Sequence, residues 1–149
     1  MELKLNGSRT IAADGDRVWA RLMDPRALTE GSRAIESVEA LGAHHFVVTV
    51  AVGLGFFKLR APLDVQHVDL IDGKTGTMVV AGEAMGTSLR ARAGFVLLPE
   101  GNGTRLDWTV EGAAEGKLAH LAGNALEATA RKLTEQFWDD FAAKVSRSA

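Results

Sequence analysis

The sequence predicts an α+β fold: a seven-stranded antiparallel sheet curved around one long C-terminal helix, with two short helices between strands 1 and 2. Three observations predict it. Apolar residues recur at Leu118, Leu121, Ala125, Leu126, Ala130, Leu133, Phe137, Phe141 and Val145, in helical steps of three and four that no proline interrupts. Upstream of them, from Ile35, runs of alternating polarity are cut by turns near Gly42, Gly53–Gly55, Asp72–Gly73, Gly82–Gly86 and Glu100–Gly103. Finally, 149 residues suit a single domain over residues 1–149, a size that buries about 68–70% of the unfolded chain's surface.

Each element has its own reason. Glu2 to Ile11 sets Leu3 and Leu5 against polar neighbours and reads as the first strand. Asp14 is a fitting N-cap for a short helix carrying Val18, Trp19 and Leu22, and Asp24–Pro25 ends it. A second helical turn runs through Leu28. Six strands joined by short turns then make a meander. The spacing predicts a final helix from Gly116 to Val145, about 30 residues and roughly 45 Å long at 1.5 Å per residue.

Period two sorts the strand residues into faces. One face takes Phe46, Val48, Val50, Val52, Leu59, Ala61, Leu63, Val65, Met78, Val80, Leu89, Ala91, Ala93, Phe95, Leu106, Trp108 and Val110. The other takes Lys58, Arg60, Asp64, Thr77, Glu83, Arg90, Arg92, Asp107 and Glu111. A curved sheet around a single helix leaves room between them. The predicted walls of that room are Phe46, Val48, Val50, Leu63, Met78, Val80, Phe95 and Trp108, with Leu126, Ala130 and Leu133 as its helical floor. The turns at Gly53–Gly55 and Gly82–Gly86 and the Leu28–Ala34 loop are candidate gates.

Composition excludes several functions. With 17 basic and 19 acidic residues the net charge is −2, which gives no electrostatic reason to attract nucleic acid. Cysteine is absent, so disulfides and thiolate chemistry are excluded. The opening residues lack a signal-peptide h-region, and no apolar run is long enough to span a bilayer. A cytoplasmic protein without a transmembrane segment is expected. Gly73-Lys74-Thr75 resembles the end of a phosphate loop, but Val68 stands where the leading glycine is needed, and a hairpin turn follows no such plan. The sequence holds neither G-x-S-x-G nor H-E-x-x-H.

Chemistry has few candidates. His44 and His45 are adjacent in an expected strand, point to opposite faces and cannot share a metal, so no metal or cofactor is expected. Tyrosine is absent, and Glu83, Arg90, Arg92, Asp107 and Glu111 alternate away from the apolar face. His67 continues that face after Val65 and is the one candidate base, expected near the rim at a strand end. The reading therefore favours binding of a hydrophobic small molecule over catalysis.

The segments LNGSRTIAADGDRVWARLMDP, IESVE, PEGNGTRLDWTV and GKLAHLAGNALEATARKLTEQFWDDF together resemble the carbon monoxide dehydrogenase G-subunit family, within the START-like, polyketide-cyclase-related superfamily of helix-grip proteins. The tail carries most of the likeness, through Gly116, Lys117, Leu118, Ala119, Leu121, Ala130, Arg131, Lys132, Leu133, Phe137 and Phe141. The resemblance implies a cavity for a lipid-, isoprenoid- or quinone-like ligand. It also implies an accessory role beside a molybdenum hydroxylase of the carbon monoxide dehydrogenase type, peripheral to the membrane through that partner. Two departures stand out. Ser32, Arg33 and Ala34 replace the family's common Ile-Pro-Gly turn. Longer relatives carry a linker and a membrane-seeking tail after the helix; here the helix's own charges nearly balance, so its apolar stripe is assigned to the fold. Two other functions remain open on the sequence: a small cyclase, dehydratase or isomerase using His67 with Arg90 or Arg92 turned inward by a bulge, and a docking module presenting Trp19 or Trp138 to an oxidoreductase.

Overall fold

Alternation builds the sheet almost throughout. The computed structural model describes residues 1–54 and 57–147, so part of the expected Gly53–Gly55 turn lies outside the described residues. The strands are β1 (Glu2–Ile11), β2 (Ile35–Gly42), β3 (His45–Leu54), β4 (Phe57–Ile71), β5 (Thr75–Ala84), β6 (Thr87–Glu100) and β7 (Gly103–Gly116). They form one seven-stranded antiparallel sheet in the order β1-β7-β6-β5-β4-β3-β2. The meander from β2 to β7 is the expected one, and β1 returns to pair with β7, Leu5 opposite Val110. A register shift between Val68 and Ile71 in β4, where Asp69 has φ +52°, marks a bulge that bends the sheet.

The two short helices lie between β1 and β2 as expected: α1 (Gly15–Met23) and α2 (Pro25–Thr29). Both are capped by aspartate. Asp14 accepts from the Arg17 amide at 2.9 Å, and Asp24 accepts from the Arg26 amide at 3.1 Å. Each bond satisfies a donor that the helix start leaves open. Pro25 is placed where its missing N–H costs nothing.

The long helix α3 (Lys117–Arg147) departs from the expectation in one respect: it is broken at Ala122, where φ is −134° and ψ 31°. No proline causes this; the break adjoins Gly123, and glycine costs a helix about 1 kcal/mol relative to alanine. The stripe changes phase there. Leu118 is buried, but Leu121 is 76% exposed and Ala125 is also exposed, contrary to the predicted stripe. Beyond the break, Trp138, Phe141, Ala142 and Val145 are buried.

That C-terminal half is clamped to β1 and β7. Trp138 stacks on Trp108, with ring centroids 6.1 Å apart, and Phe137 and Phe141 meet Trp138 edge-on. The indole of Trp108 occupies the space over Gly7, where a Cβ would come within 2.6 Å of the ring. Arg9 reaches from β1 to bond Asp139 at 2.7 Å and Glu135 at 2.8 Å, with its guanidinium 5.8 Å from the Trp108 ring centre. Trp138 is therefore core rather than a docking residue, and half-buried Trp19 packs on Phe95 at 5.9 Å. The docking-module expectation loses Trp138.

At its other end α3 is started from the sheet. The buried Thr87 hydroxyl on β6 accepts from the Leu118 amide at 2.7 Å. Gly116 precedes it with φ +126°, and a Cβ there would run into the Gly86 carbonyl oxygen. Only glycine fits such a backbone.

Candidate ligand cavity

The helix leaves part of the sheet's inner face uncovered. A cavity of about 340 Å³, partly open to solvent, lies between β3–β6, α2 with its following loop, and the middle of α3. Its volume is within the range of small-molecule sites, roughly 300–1,000 Å³. Of the predicted residues, Phe46, Val48, Val50, Leu63, Met78 and Val80 line it from the sheet, and Leu126, Ala130 and Leu133 from the helix.

Phe95 and Trp108 do not line it. Both are 1% exposed and face the same side as the lining strands, but they lie where α1 and the second half of α3 close against the sheet. Phe95 fills the space over Gly76, and Trp108 fills the space over Gly7. The same face is thus cavity at one end and packed core at the other.

Several lining residues carry no sequence signal that marks them. Leu28, Thr29, Ser32 and Ile35 come from α2, the loop after it and the start of β2; Met1 precedes β1 and Leu3 lies in it, and Leu118, Phe137 and Trp138 come from α3. The alternation of Leu3 with Leu5 could have placed β1 there. The loop residues have no period to read.

The polar content of the lining is small. Its charged member is Glu83 at the lip, whose outer-face partner Ser88 donates to it at 3.4 Å. The remaining polar side chains are hydroxyls, of Thr29, Ser32, Thr87, Thr129 and Thr134. Thr29 donates to the Pro25 carbonyl at 2.8 Å and Thr134 to the Ala130 carbonyl at 2.7 Å, so both donors are used within their own helices. No lysine, arginine or histidine side chain is among the described lining residues. Such a wall holds apolar matter by burial and offers no group poised for proton transfer.

His67 lies outside the cavity. It is neither at a solvated rim nor facing a ligand: it is 7% exposed, beneath the end of α1, and its Nε2–H donates to the Leu22 carbonyl at 3.0 Å. Its Nδ1 has no partner among the described residues, and the rings of Phe46 and His44 stand 5.7 and 6.0 Å away. Burial lowers its pKa, and the nearby His44 lowers it further against the opposing effect of the Leu22 bond. A neutral imidazole that pins α1 to β4 is a structural part. Arg90 and Arg92 are likewise exposed on the outer face, Arg92 near Asp69 at 3.4 Å. The bulge that was to turn one of them inward lies in β4, while β6 pairs without interruption. His45 bonds Asp64 at 2.5 Å on the outer face, and no group of three metal-ligating side chains occurs among the described residues. Among those residues no helix is long and apolar enough to cross a membrane.

The sequence profile of CoxG, the G subunit of carbon monoxide dehydrogenase, matches residues 7–146. The chain belongs to this family. For the CoxG fold the structural relatives agree. A conserved protein from Geobacillus kaustophilus shares 23% identity at a TM-score of 0.84, covering 98% of this chain and 97% of that one. The Zhui aromatase/cyclase from Streptomyces sp. R1128 shares 17% identity at 0.74, covering 99% and 95%. A START superfamily protein from Mycobacterium smegmatis shares 13% identity at 0.73, covering 98% and 99%. At these identities the likeness establishes the helix-grip fold. No functionally curated protein matches the sequence.

Proposed function

We propose that this CoxG-family chain binds a hydrophobic small molecule, lipid-, isoprenoid- or quinone-like, between its sheet and α3, and performs no reaction on it. The observation that carries this reading is the apolar cavity of about 340 Å³, whose described lining residues include one charged side chain, that of exposed Glu83. Burial at about 25 cal/mol per Å² would give roughly 7 kcal/mol for about 300 Å² of apolar ligand surface, of the same order as the roughly 4–15 kcal/mol of freedom lost on association. The family's name supports an accessory role beside a carbon monoxide dehydrogenase-type molybdenum hydroxylase; membrane contact through that partner belongs to the same proposal. The cyclase reading has the fold in its favour but not its residue, since His67 is turned to the Leu22 carbonyl.

Native mass spectrometry of the purified protein, followed by denaturing extraction, tests the proposal. Val50 and Val80 are half-buried lining residues in mid-strand, and Val50→Trp or Val80→Trp would fill their part of the cavity. The expected outcome is a co-purifying apolar molecule that either substitution displaces. An unliganded mass, with no uptake from a panel of lipids and quinones, would sink the proposal.

A further inference from the structure

Taking the binding reading above as its basis, we infer that the lip formed by Ser32 and Arg33 receives the anionic head of a single-chain amphiphile, a long-chain carboxylate whose tail lies in the cavity. Ser32 and Ala34 both line the cavity, and Arg33 between them is exposed. Arg33 is thus a cationic residue of the segment that borders the wall, whose described lining residues include no cationic side chain. The backbone there is held at both ends: the Ser32 amide donates to the Thr29 carbonyl at 3.0 Å, and the Ala34 carbonyl accepts from the Ala51 amide on β3 at 2.8 Å.

No described residue forms an ion pair with Arg33. The two acids nearest in sequence are committed elsewhere. Glu30 faces Lys144 at 3.5 Å and Arg21 at 3.9 Å, and Glu36 is bonded by Arg60 at 2.6 Å. Asp140 lies against Gly31 through its backbone and Cβ, and neither it nor any other described acid forms an ion pair with Arg33. The Ser32 hydroxyl likewise has no hydrogen-bond partner among the described residues. One planar cation and one free hydroxyl at the lip match a carboxylate, which accepts from both.

The interior imposes the orientation. An ionised head inside would lose its water with no cationic side chain to meet it, at a cost of several kcal/mol. The Met1 ammonium borders the wall and donates one bond, to the Ala114 carbonyl at 3.0 Å, so a head turned inward to Met1 is the competing orientation, and equal dodecanoate affinity in the two proteins tested below would report it.

Trp138 lines the cavity and is buried, so its fluorescence reports occupancy. The test titrates dodecanoate and dodecanol, each below its aggregation limit, into the wild-type protein and Arg33→Gln at pH 8 and low salt. Arginine keeps its charge across this range and the carboxylate is ionised. Arg33→Gln should weaken dodecanoate about three- to tenfold, as loss of a charge pair at an exposed site reinforced by a hydroxyl would, and leave dodecanol unchanged. Raising the salt should weaken dodecanoate on the wild-type protein alone. Equal dodecanoate affinity in the two proteins, or an equal loss for dodecanol, would overturn the head-group assignment while the binding function stood. If neither probe binds the wild type, the head-group assignment falls, and the binding function is decided separately by uptake from the lipid and quinone panel.

Discussion

His67 shows how a residue suited to chemistry is used for structure. Its Nε2–H is held by the Leu22 carbonyl, its Nδ1 is buried without a partner among the described residues, and its pKa is lowered chiefly by burial. The sign of the pH effect follows. The folded state resists protonation that the unfolded chain accepts near the ordinary value of 6.5, so the unfolded state binds more protons as the pH falls. The stabilising contribution is complete above that value and is lost progressively below it. Urea unfolding at pH 8 and pH 5.5 should show a wild-type decline that His67→Gln, which keeps a donor for Leu22 without a titrating ring, reduces. An unchanged decline would mean that other groups govern acid sensitivity. The residue scale also explains what could be read in advance. That His67 shares a face with Val65 follows from alternation, but which part of that face carries a helix above it does not.

At the scale of elements, α3 depends on contacts that its own sequence does not announce. Its first turn is anchored by a side chain from β6, since the Thr87 hydroxyl accepts from the Leu118 amide at 2.7 Å in a buried position. Thr87→Val keeps the shape and removes the acceptor, leaving a buried N–H unpaired at a cost of about 1–3 kcal/mol. Chemical denaturation should register that loss. Hydrogen exchange should place it in the segment before Ala122, with the Trp138–Val145 half kept protected; uniform loss over α3 would show the helix to be one cooperative unit. The break at Ala122 was not legible because alanine favours helix and the apolar spacing continues through it. Exposed Leu121 is the visible consequence. The seven strands, by contrast, could be read because each pairs with its neighbour in sequence and alternates between two environments; β1 alone required a long-range return.

For the whole molecule, the division of one apolar face into packed core and open cavity sets stability against binding. Where α3 is clamped by Arg9, Trp108 and Trp138, the face is closed; where Leu126, Ala130 and Leu133 pass over the meander, it is not. Period two marks the lining strands but cannot separate Phe95 and Trp108 from them, because the line between these regions depends on where the helix lies rather than on any strand. Ala130 sits on that line, half-buried on α3 and part of both the lining and the apolar contacts around the core. Ala130→Leu adds apolar atoms to empty space at little change in helix propensity. Cavity filling commonly contributes about 0.5–2 kcal/mol, or roughly 1–8 °C in melting midpoint for a chain of this size. The same atoms would occupy ligand volume, so the melting midpoint of the unliganded protein should rise while the affinity for an apolar ligand falls. A joint fall would mean that the space over Ala130 is too small for a leucine. A rise in stability with unaltered affinity would place the ligand away from the middle of α3, and with it the floor of the site.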